Sequence, residues 1–315
     1  MTAVHPAVHP VVTVTLNPAI DQTLSIPGFA AGQVNRVAAS RSDAGGKGVN
    51  VASFLADLEI EVVATGFLGA DNAALFEDLF ARKRIADRFV RIPGSTRVGL
   101  KIVDESSGQT TDINFPGLSP RPEDLDELLG RVSGLAAPGR WFVLSGSVPP
   151  GVPDGVYATM SQAIHARGGH VVLDTSGPAL REAVAAEPEV VKPNVQELGE
   201  LVGRTLESPG AVRAAGESLG VGRVAVSMGE SGAVFLENGQ ALLARPPAVP
   251  ARSTVGAGDA MVAGIVYSLF HGLPLEDLAR VATASGAYAV TAIGPGIEDP
   301  AGYRALMETV RIERL

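Results

Sequence analysis

Residues 253–264 read Ser-Thr-Val-Gly-Ala-Gly-Asp-Ala-Met-Val-Ala-Gly, and the apolar run continues through Ile265 and Val266. Two glycines and a single carboxylate therefore stand at the mouth of an apolar helix. Gly256 and Gly258 let the backbone approach something closely, and the start of a helix leaves amide N–H groups without intrahelical acceptors. Those amides, at the positive end of the helix dipole, favour an anion. A carboxylate beside an anion is unfavourable unless it has a chemical task. Asp is also a favoured N-cap residue, so Asp259 reads equally as a cap. Both readings stay open on this stretch alone.

The rest of the chain alternates strands with helices. VVTVTLNP (11–18) is a β-branched run stopped by Asn-Pro, and EVVATGFLG (61–69), RWFVLSG (140–146), GGHVVLDTSG (168–177), PEVVKPN (188–194) and GRVAVSMG (222–229) are further short strands. Most lead into segments of helical periodicity, such as 72–84, 154–168 and 195–203. That rhythm predicts an α/β fold with a mostly parallel central sheet and helices on both faces, a three-layer αβα sandwich. Ligands bind at the carboxyl ends of the strands in such sheets. The unusual polar residues collect there: Asn17, Asp21, Ser145, Gly146, Asp174, Lys192, Asn194, Ser227 and Gly229. Residues 96–117 break the rhythm and read as a hairpin, with strands near 97–103 and 110–115 around a Ser-Ser-Gly turn. With the segment near 22–40 this hairpin is expected to form a separate small sheet. The chain is thus read as one domain over 1–315 with a discontinuous β lid at about 17–40 and 92–116.

The chain has 315 residues, no cysteine and a formal net charge of −9. Thiolate catalysis, disulfides and Cys-ligated metal are excluded. The charge gives no basic field for nucleic acid, and the apolar stretches are broken before membrane-spanning length. The leader MTAVHPAVHP lacks the features of a secretion signal, so a cytoplasmic location is expected. His5 and His9 within it read as terminal residues rather than ligands. His165, His170 and His271 show no metal-ligand spacing and no evident carboxylate partner. No serine lies in a Gly-x-Ser-x-Gly elbow.

Five further groups of residues carry candidate chemistry. In Ser42–Asn50 (SDAGGKGVN) the Gly-Lys invites a P-loop reading, which fails because Gly48 follows the lysine in place of Ser or Thr. What remains is a glycine turn at Gly45 and Gly46 able to approach a small ligand, with Lys47 and Asn50 as contacts, or a plain turn with a surface lysine. Asp21, in NPAID, can accept hydrogen bonds from ligand hydroxyls or form an Asx-type turn. Arg97 and Lys101 fall on one strand face, as two cations converging on an anion or as a solvated face. Asn194 and Glu197, three apart, can reach one hydrated Mg²⁺ or form a capping box. Ser227–Gly232 suits nucleotide phosphates or a simple hairpin turn.

Together these residues resemble the ribokinase-like (PfkB) carbohydrate kinases. AGGKGVNVA (44–52) near the amino end and VGAGDAMVAG (255–264) near the carboxyl end match that family's paired signatures, in the same order, and NPAID, GQVNRV, TGFLG, TRVGLKI, TDINFPG, LSGSVPPGVP, LDTSG and VKPNVQEL extend the likeness over nearly the whole chain. Within the family the chain most resembles the bacterial branch that phosphorylates D-fructose 1-phosphate to the 1,6-bisphosphate. Kinases of tagatose 6-phosphate and fructose 6-phosphate are the near alternatives, and a non-catalytic sugar-phosphate sensor is a more distant one. Ala260 departs from the family's Ser. The resemblance implies Asp259 as general base, with Gly256, Ala257 and Gly258 holding charge on the transferred phosphoryl group. It implies a phosphorylated ketohexose held by Asp21, Gly45, Gly46, Lys47, Asn50, Arg97 and Lys101. It further implies ATP lined by Lys192, Asn194, Ser227, Gly229, Glu230, Gly232 and Gly258, and Mg²⁺ at Asn194 and Glu197 through water. A homodimer formed through the lids is implied as well.

Overall fold

The computed structural model describes residues 9–250, 255–292, 294 and 296–315. His5, Ser253 and Thr254 lie outside the described residues. Among the described residues the main sheet has eleven strands. From one edge they run Arg311–Arg314, Gln240–Arg245, Ala233–Glu237, Arg223–Ser227, Val190–Val191, His170–Asp174, Trp141–Ser145, Val11–Thr15, Val62–Gly69 and Ala86–Asp87, with Val90–Ile92 also on Val62–Gly69. Pairing is parallel from Ala86–Asp87 through Arg223–Ser227 and antiparallel beyond it.

The central strands are apolar on both faces because helices cover both. Val11, Val143 and Val172 belong to one core cluster, with residues of helices Lys47–Asp57, Ala257–Phe270 and Leu275–Ala289. Their neighbours Val12, Phe142 and Leu173 belong to the opposite cluster, with Leu128, Tyr157, Met160 and Leu180. Alternate side chains of a strand point to opposite faces, so this division is the three-layer arrangement expected from the sequence. Helix Ala257–Phe270 is buried on nearly every side, which accounts for its largely apolar composition. Gly264 lets it sit close on its neighbour, because a Cβ there would come 2.8 Å from Ala282 Cα.

A second, four-stranded sheet runs Ala39–Gly45, Ala19–Ser25, Val98–Asp104 and Gln109–Asn114. The predicted hairpin is there, within one residue at each strand. Asp21 lies inside the strand Ala19–Ser25 rather than in an Asx turn. The small sheet also takes in residues up to Gly45, which then feed directly into helix Lys47–Asp57. The register aligns Asp43 with Asp21 and Gly99, and aligns Arg41 with Thr23, Lys101 and Asp112.

One histidine reading is corrected by the fold. Glu189 approaches both His165 Nε2 at 3.2 Å and His170 Nδ1 at 3.4 Å, and it also accepts the Val171 N–H at 2.6 Å. The two histidines therefore share a carboxylate that lies far along the chain from either.

Candidate active site

Parallel strands bring their carboxyl ends to one edge, where Thr15, Ser145 and Asp174 stand in register on adjacent strands. Asp174 is fully buried and lies 3.1 Å from Lys47 Nζ and 3.3 Å from Lys192 Nζ. Burial opposes its charge, but the two ammonium groups prevail and hold its carboxyl below the usual range. Lys47 is likewise pulled towards burial-induced neutrality, yet Asp174, Asp259 and Glu197 together keep it more firmly protonated than usual. Three carboxylates thus converge on one lysine.

Asp259 sits in the first turn of helix Ala257–Phe270 and is 7% exposed. It makes no capping bond to that helix. Instead its Oδ2 accepts from Asn50 Nδ2 at 2.8 Å, joining two glycine motifs 209 residues apart in sequence. Burial first, then the nearby Asp174 charge, raise the Asp259 pKa to about 6, against the opposing pull of Lys47, Asn50 and Lys192. The capping reading of Asp259 is excluded. Gly256 opens the helix at φ 81°, and the Ala260 N–H is bonded to Gly256 O at 2.8 Å. The amides of the preceding turn point out of the helix end, where an anion is favoured.

Asp21 faces the same side from the small sheet. Burial raises its pKa to about 6, and Arg97 and Lys101 oppose that rise. Gly45 is required next to it, since a Cβ there would overlap Asp21 Oδ2. Gly46 has φ 109°, and Gly48 lies so close to Thr15 that a Cβ would overlap its hydroxyl. The glycine cluster is therefore a close-approach turn, and Lys47 is bound to Asp174 rather than left on the surface. A cleft of about 500 Å³ separates the small sheet from the start of the Asp259 helix. Asp21, Asn50, Lys101 and Gly256 line it.

Arg97 and Lys101 do not converge on a common point in this structure. Arg97 donates to Asn17 Oδ1 at 3.1 Å and lies outside the cleft lining, while Lys101 pairs with Asp112 at 2.8 Å. Asn17, just past the end of the first strand, thus holds Arg97 in place. It also donates to Ser147 Oγ at 3.0 Å, and a Cβ on Gly117 would overlap its amide. Asp174 joins Lys47 and Lys192 at this edge. Its only sequence signal is a carboxylate closing the strand HVVLD, since both of its lysines are remote in the chain.

Asn194 and Glu197 form the capping box. Asn194 Oδ1 accepts the Glu197 N–H and Glu197 Oε2 accepts the Asn194 N–H, both at 2.8 Å. Such a cap contributes about 1 kcal/mol to its helix. The same box brings Asn194 beside Ser227, with which it forms a parallel bridge. Ser227 then enters a turn through Gly229–Ser231 into the antiparallel strand Ala233–Glu237, where Glu230 is exposed. Gly232 is fixed at φ 97°, and any Cβ would overlap Ala244 O. Lys192, Asn194, Ser227 and Gly229 therefore lie along one edge that leads to Asp174.

Residues 10–301 match the pfkB family of carbohydrate kinases. The chain belongs to that family. It is 51% identical over 309 residues to the 1-phosphofructokinase of Rhodobacter capsulatus, covering 97% of this chain and 98% of that one. It is 36% identical over 306 residues to the 1-phosphofructokinase of Escherichia coli K12, covering 96% and 98%. Phosphofructokinase-2 from Escherichia coli, solved in complex with substrates and products, superposes with a TM-score of 0.89 at 30% identity, covering 95% and 98%. The resemblance drawn from the two glycine motifs is thereby shown at the level of family and fold. This pfkB kinase carries the ribokinase-like architecture, with its small sheet set apart from the parallel one. No helix among the described residues is long and apolar enough to cross a membrane.

Proposed function

We propose that this kinase catalyses ATP + D-fructose 1-phosphate → ADP + D-fructose 1,6-bisphosphate. Asp259 carries the reading: it is a buried carboxylate with a raised pKa, held by Asn50 at a helix terminus suited to an anion. The 1-phosphofructokinase name of the Rhodobacter capsulatus protein supports the choice of sugar. The C6 hydroxyl gives its proton to Asp259 as its oxygen bonds to the γ-phosphorus, and the bridging β–γ oxygen leaves with ADP. Amides at Gly256, Ala257 and Gly258 stabilise charge on the phosphoryl oxygens as it moves. This is positioning plus electrostatics, which is most of what phosphoryl transfer requires.

Asp21, Asn50 and the Gly45–Gly46–Lys47 turn hold sugar hydroxyls. Lys101 and Arg97 hold the phosphate once freed from Asp112 and Asn17. ATP runs along Lys192, Asn194, Ser227, Gly229, Glu230 and Gly232 to Gly258. Mg²⁺ fits the donors present: Asp174 Oδ2 is buried without a hydrogen-bond partner, and the negative charge of Glu197 is felt at Lys47, the lysine that pairs with Asp174. Bound there, the ion would neutralise charge on the ATP phosphates, with Asn194 and Glu197 acting through water. Closure of the small sheet over the cleft limits loss of ATP to water. The cytoplasm, where ATP and sugar phosphates meet, is the setting of this reading.

A coupled ADP-release assay with fructose 1-phosphate, fructose 6-phosphate, tagatose 6-phosphate, fructose and ribose tests the substrate. The expected result is a kcat/KM for fructose 1-phosphate well above the rest. Preference for a 6-phosphate overturns the substrate and keeps the chemistry, whereas silence with every sugar despite ATP binding makes the chain a sensor.

The small sheet and its connector also present Val34, Val37, Ile113 and Phe115, which are 84, 49, 43 and 48% exposed. Pairing of two such sheets in a homodimer would cover this apolar surface. Sedimentation equilibrium reads the assembly directly, and a monomer at assay concentration excludes the pairing.

A further inference from the structure

One wall of the sugar cleft rests on an ion pair that the cleft does not contain. Asp57 is the last residue of helix Lys47–Asp57, whose first turn supplies Lys47 and Asn50 to the site. Its Oδ2 accepts from Lys83 Nζ at 2.6 Å and from the Ile297 N–H at 2.6 Å. Lys83 Nζ also donates to Ser53 O at 3.2 Å, which fixes it on the same helix. Gly296 passes directly over the pair at φ 142°, and a Cβ there would lie 2.5 Å from both Asp57 Oδ2 and Lys83 Nζ. Only glycine fits that crossing.

Gly294 and Gly296 form a partition. On one side they line the 500 Å³ cleft together with Asp21, Asn50, Lys101 and Gly256. On the other they line a second cleft of about 450 Å³, whose floor includes Asp57 and Lys83. At Gly294 the partition also meets the small sheet, since a Cβ there would lie 2.7 Å from Arg41 Nη2. The segment is thus held at Ile297 by a charge-assisted hydrogen bond and sits against the sheet that covers the sugar. Neither Asp57 nor Lys83 lines the sugar cleft.

We infer that Asp57, oriented by Lys83, is a positioning residue that sets the affinity of the sugar-phosphate cleft by anchoring the Gly296–Ile297 wall. This rests on the reading that the sugar phosphate occupies the cleft lined by Asp21 and Asn50. Asp57 acts through the backbone it holds and does not touch substrate.

The test compares the wild type with Asp57→Ala, Asp57→Asn, Lys83→Met and Gly296→Ala, measuring kcat, both KM values and Tm. Asp57→Ala should raise the KM for fructose 1-phosphate about tenfold, the size expected for one charge-assisted hydrogen bond. Its KM for Mg-ATP and its kcat should stay close to wild type. Asp57→Asn breaks the ion pair yet keeps an acceptor for the Ile297 N–H, so it should recover most of the affinity while its Tm falls with that of Lys83→Met. Gly296→Ala should raise the sugar KM from the other side of the contact, and it keeps the test available if Asp57→Ala fails to fold. A wild-type sugar KM in both Asp57→Ala and Gly296→Ala overturns the inference. So does a parallel rise of both KM values that tracks Tm, because that is what a merely structural pair would give. A wild type inactive on fructose 1-phosphate instead refutes the substrate reading, and the same comparison is then made on whichever sugar phosphate of the panel it accepts.

Discussion

Asp259→Asn should lower kcat by roughly 10²–10⁴, the usual worth of a positioned general base. The substitution is nearly isosteric, and an amide oxygen can still accept from Asn50, so the affinities for sugar and ATP should change little. Stability should not fall. The Asp259 pKa is about 6 in the folded chain against 3.8 for an ordinary aspartate, so at neutral pH the fold holds a carboxylate whose charge it disfavours. That cost is on the order of 1–3 kcal/mol, and the neutral amide removes it. A catalytically dead variant with an equal or higher Tm is therefore the expected result. Turnover within tenfold of wild type would remove Asp259 from the role of base.

The same carboxylate sets a pH dependence. Only its ionised form accepts a proton, so kcat/KM, which reports the free enzyme, should fall as pH drops through about 6. Asp21 titrates in the same range in the substrate-free protein. If its ionised form is needed to bind sugar hydroxyls, the acid limb should be steeper than tenfold per unit. A flat profile between pH 5 and 7, within the working window of His and raised carboxylates, would argue against both assignments.

Much of this site was legible because its parts are local in sequence. The Gly-x-Gly-Asp before an apolar run and the Gly-Gly-Lys-Gly turn each announce a strained backbone beside a helix start. Close approach is seen in the second of these, where a Cβ at Gly45 or Gly48 would overlap its neighbours, whereas Gly256 has open space around it and serves through its positive φ. The hydrogen bond from Asn50 to Asp259 is not legible in the sequence, because it joins residues 209 positions apart. The strand Ala39–Gly45 was not legible as such, because ASRSDAG has no apolar alternation; it is largely exposed and pairs through its backbone. Asn194 and Glu197 left two readings open in the sequence, and the capping geometry is the one present. The strand that carries Lys101 was readable from its sequence, although it starts at Val98 and leaves Arg97 one residue before it. The capture of Arg97 and Lys101 by Asn17 and Asp112 was not, because Asn17 comes from the turn after the first strand and Asp112 from the neighbouring strand Gln109–Asn114. Asp174 is legible only as a polar residue at a strand end, with nothing to mark its partners. A lone carboxylate at a strand end carries no local signature, and only folding brings Lys47 and Lys192 to it.

Its pairing with two lysines makes Asp174 the more informative second variant. Asp174→Asn leaves Lys192, with a side chain 4% exposed, as a buried ammonium facing another cation. Removing one member of a buried pair typically costs about 3–5 kcal/mol, so a fall in Tm on the order of 5–10 °C is expected. The pH behaviour separates this from simple damage. Asp174 lies below its usual pKa in the folded chain, so its contribution to stability is present at neutral pH and is lost as pH falls through the folded value. The stability gap between wild type and Asp174→Asn should therefore narrow in acid. Activity should shift in the opposite sense. Asp174 is among the charges that raise the Asp259 pKa, and its loss also leaves Lys47 and Lys192 uncompensated beside the base. Both changes favour the ionised form of Asp259, so the acid limb of kcat/KM should move to lower pH even as its plateau drops. A variant with reduced Tm and an unmoved acid limb would show that Asp174 holds the two lysines for the fold alone. A moved limb would show that the lysine–carboxylate cluster tunes the base as well as bracing it.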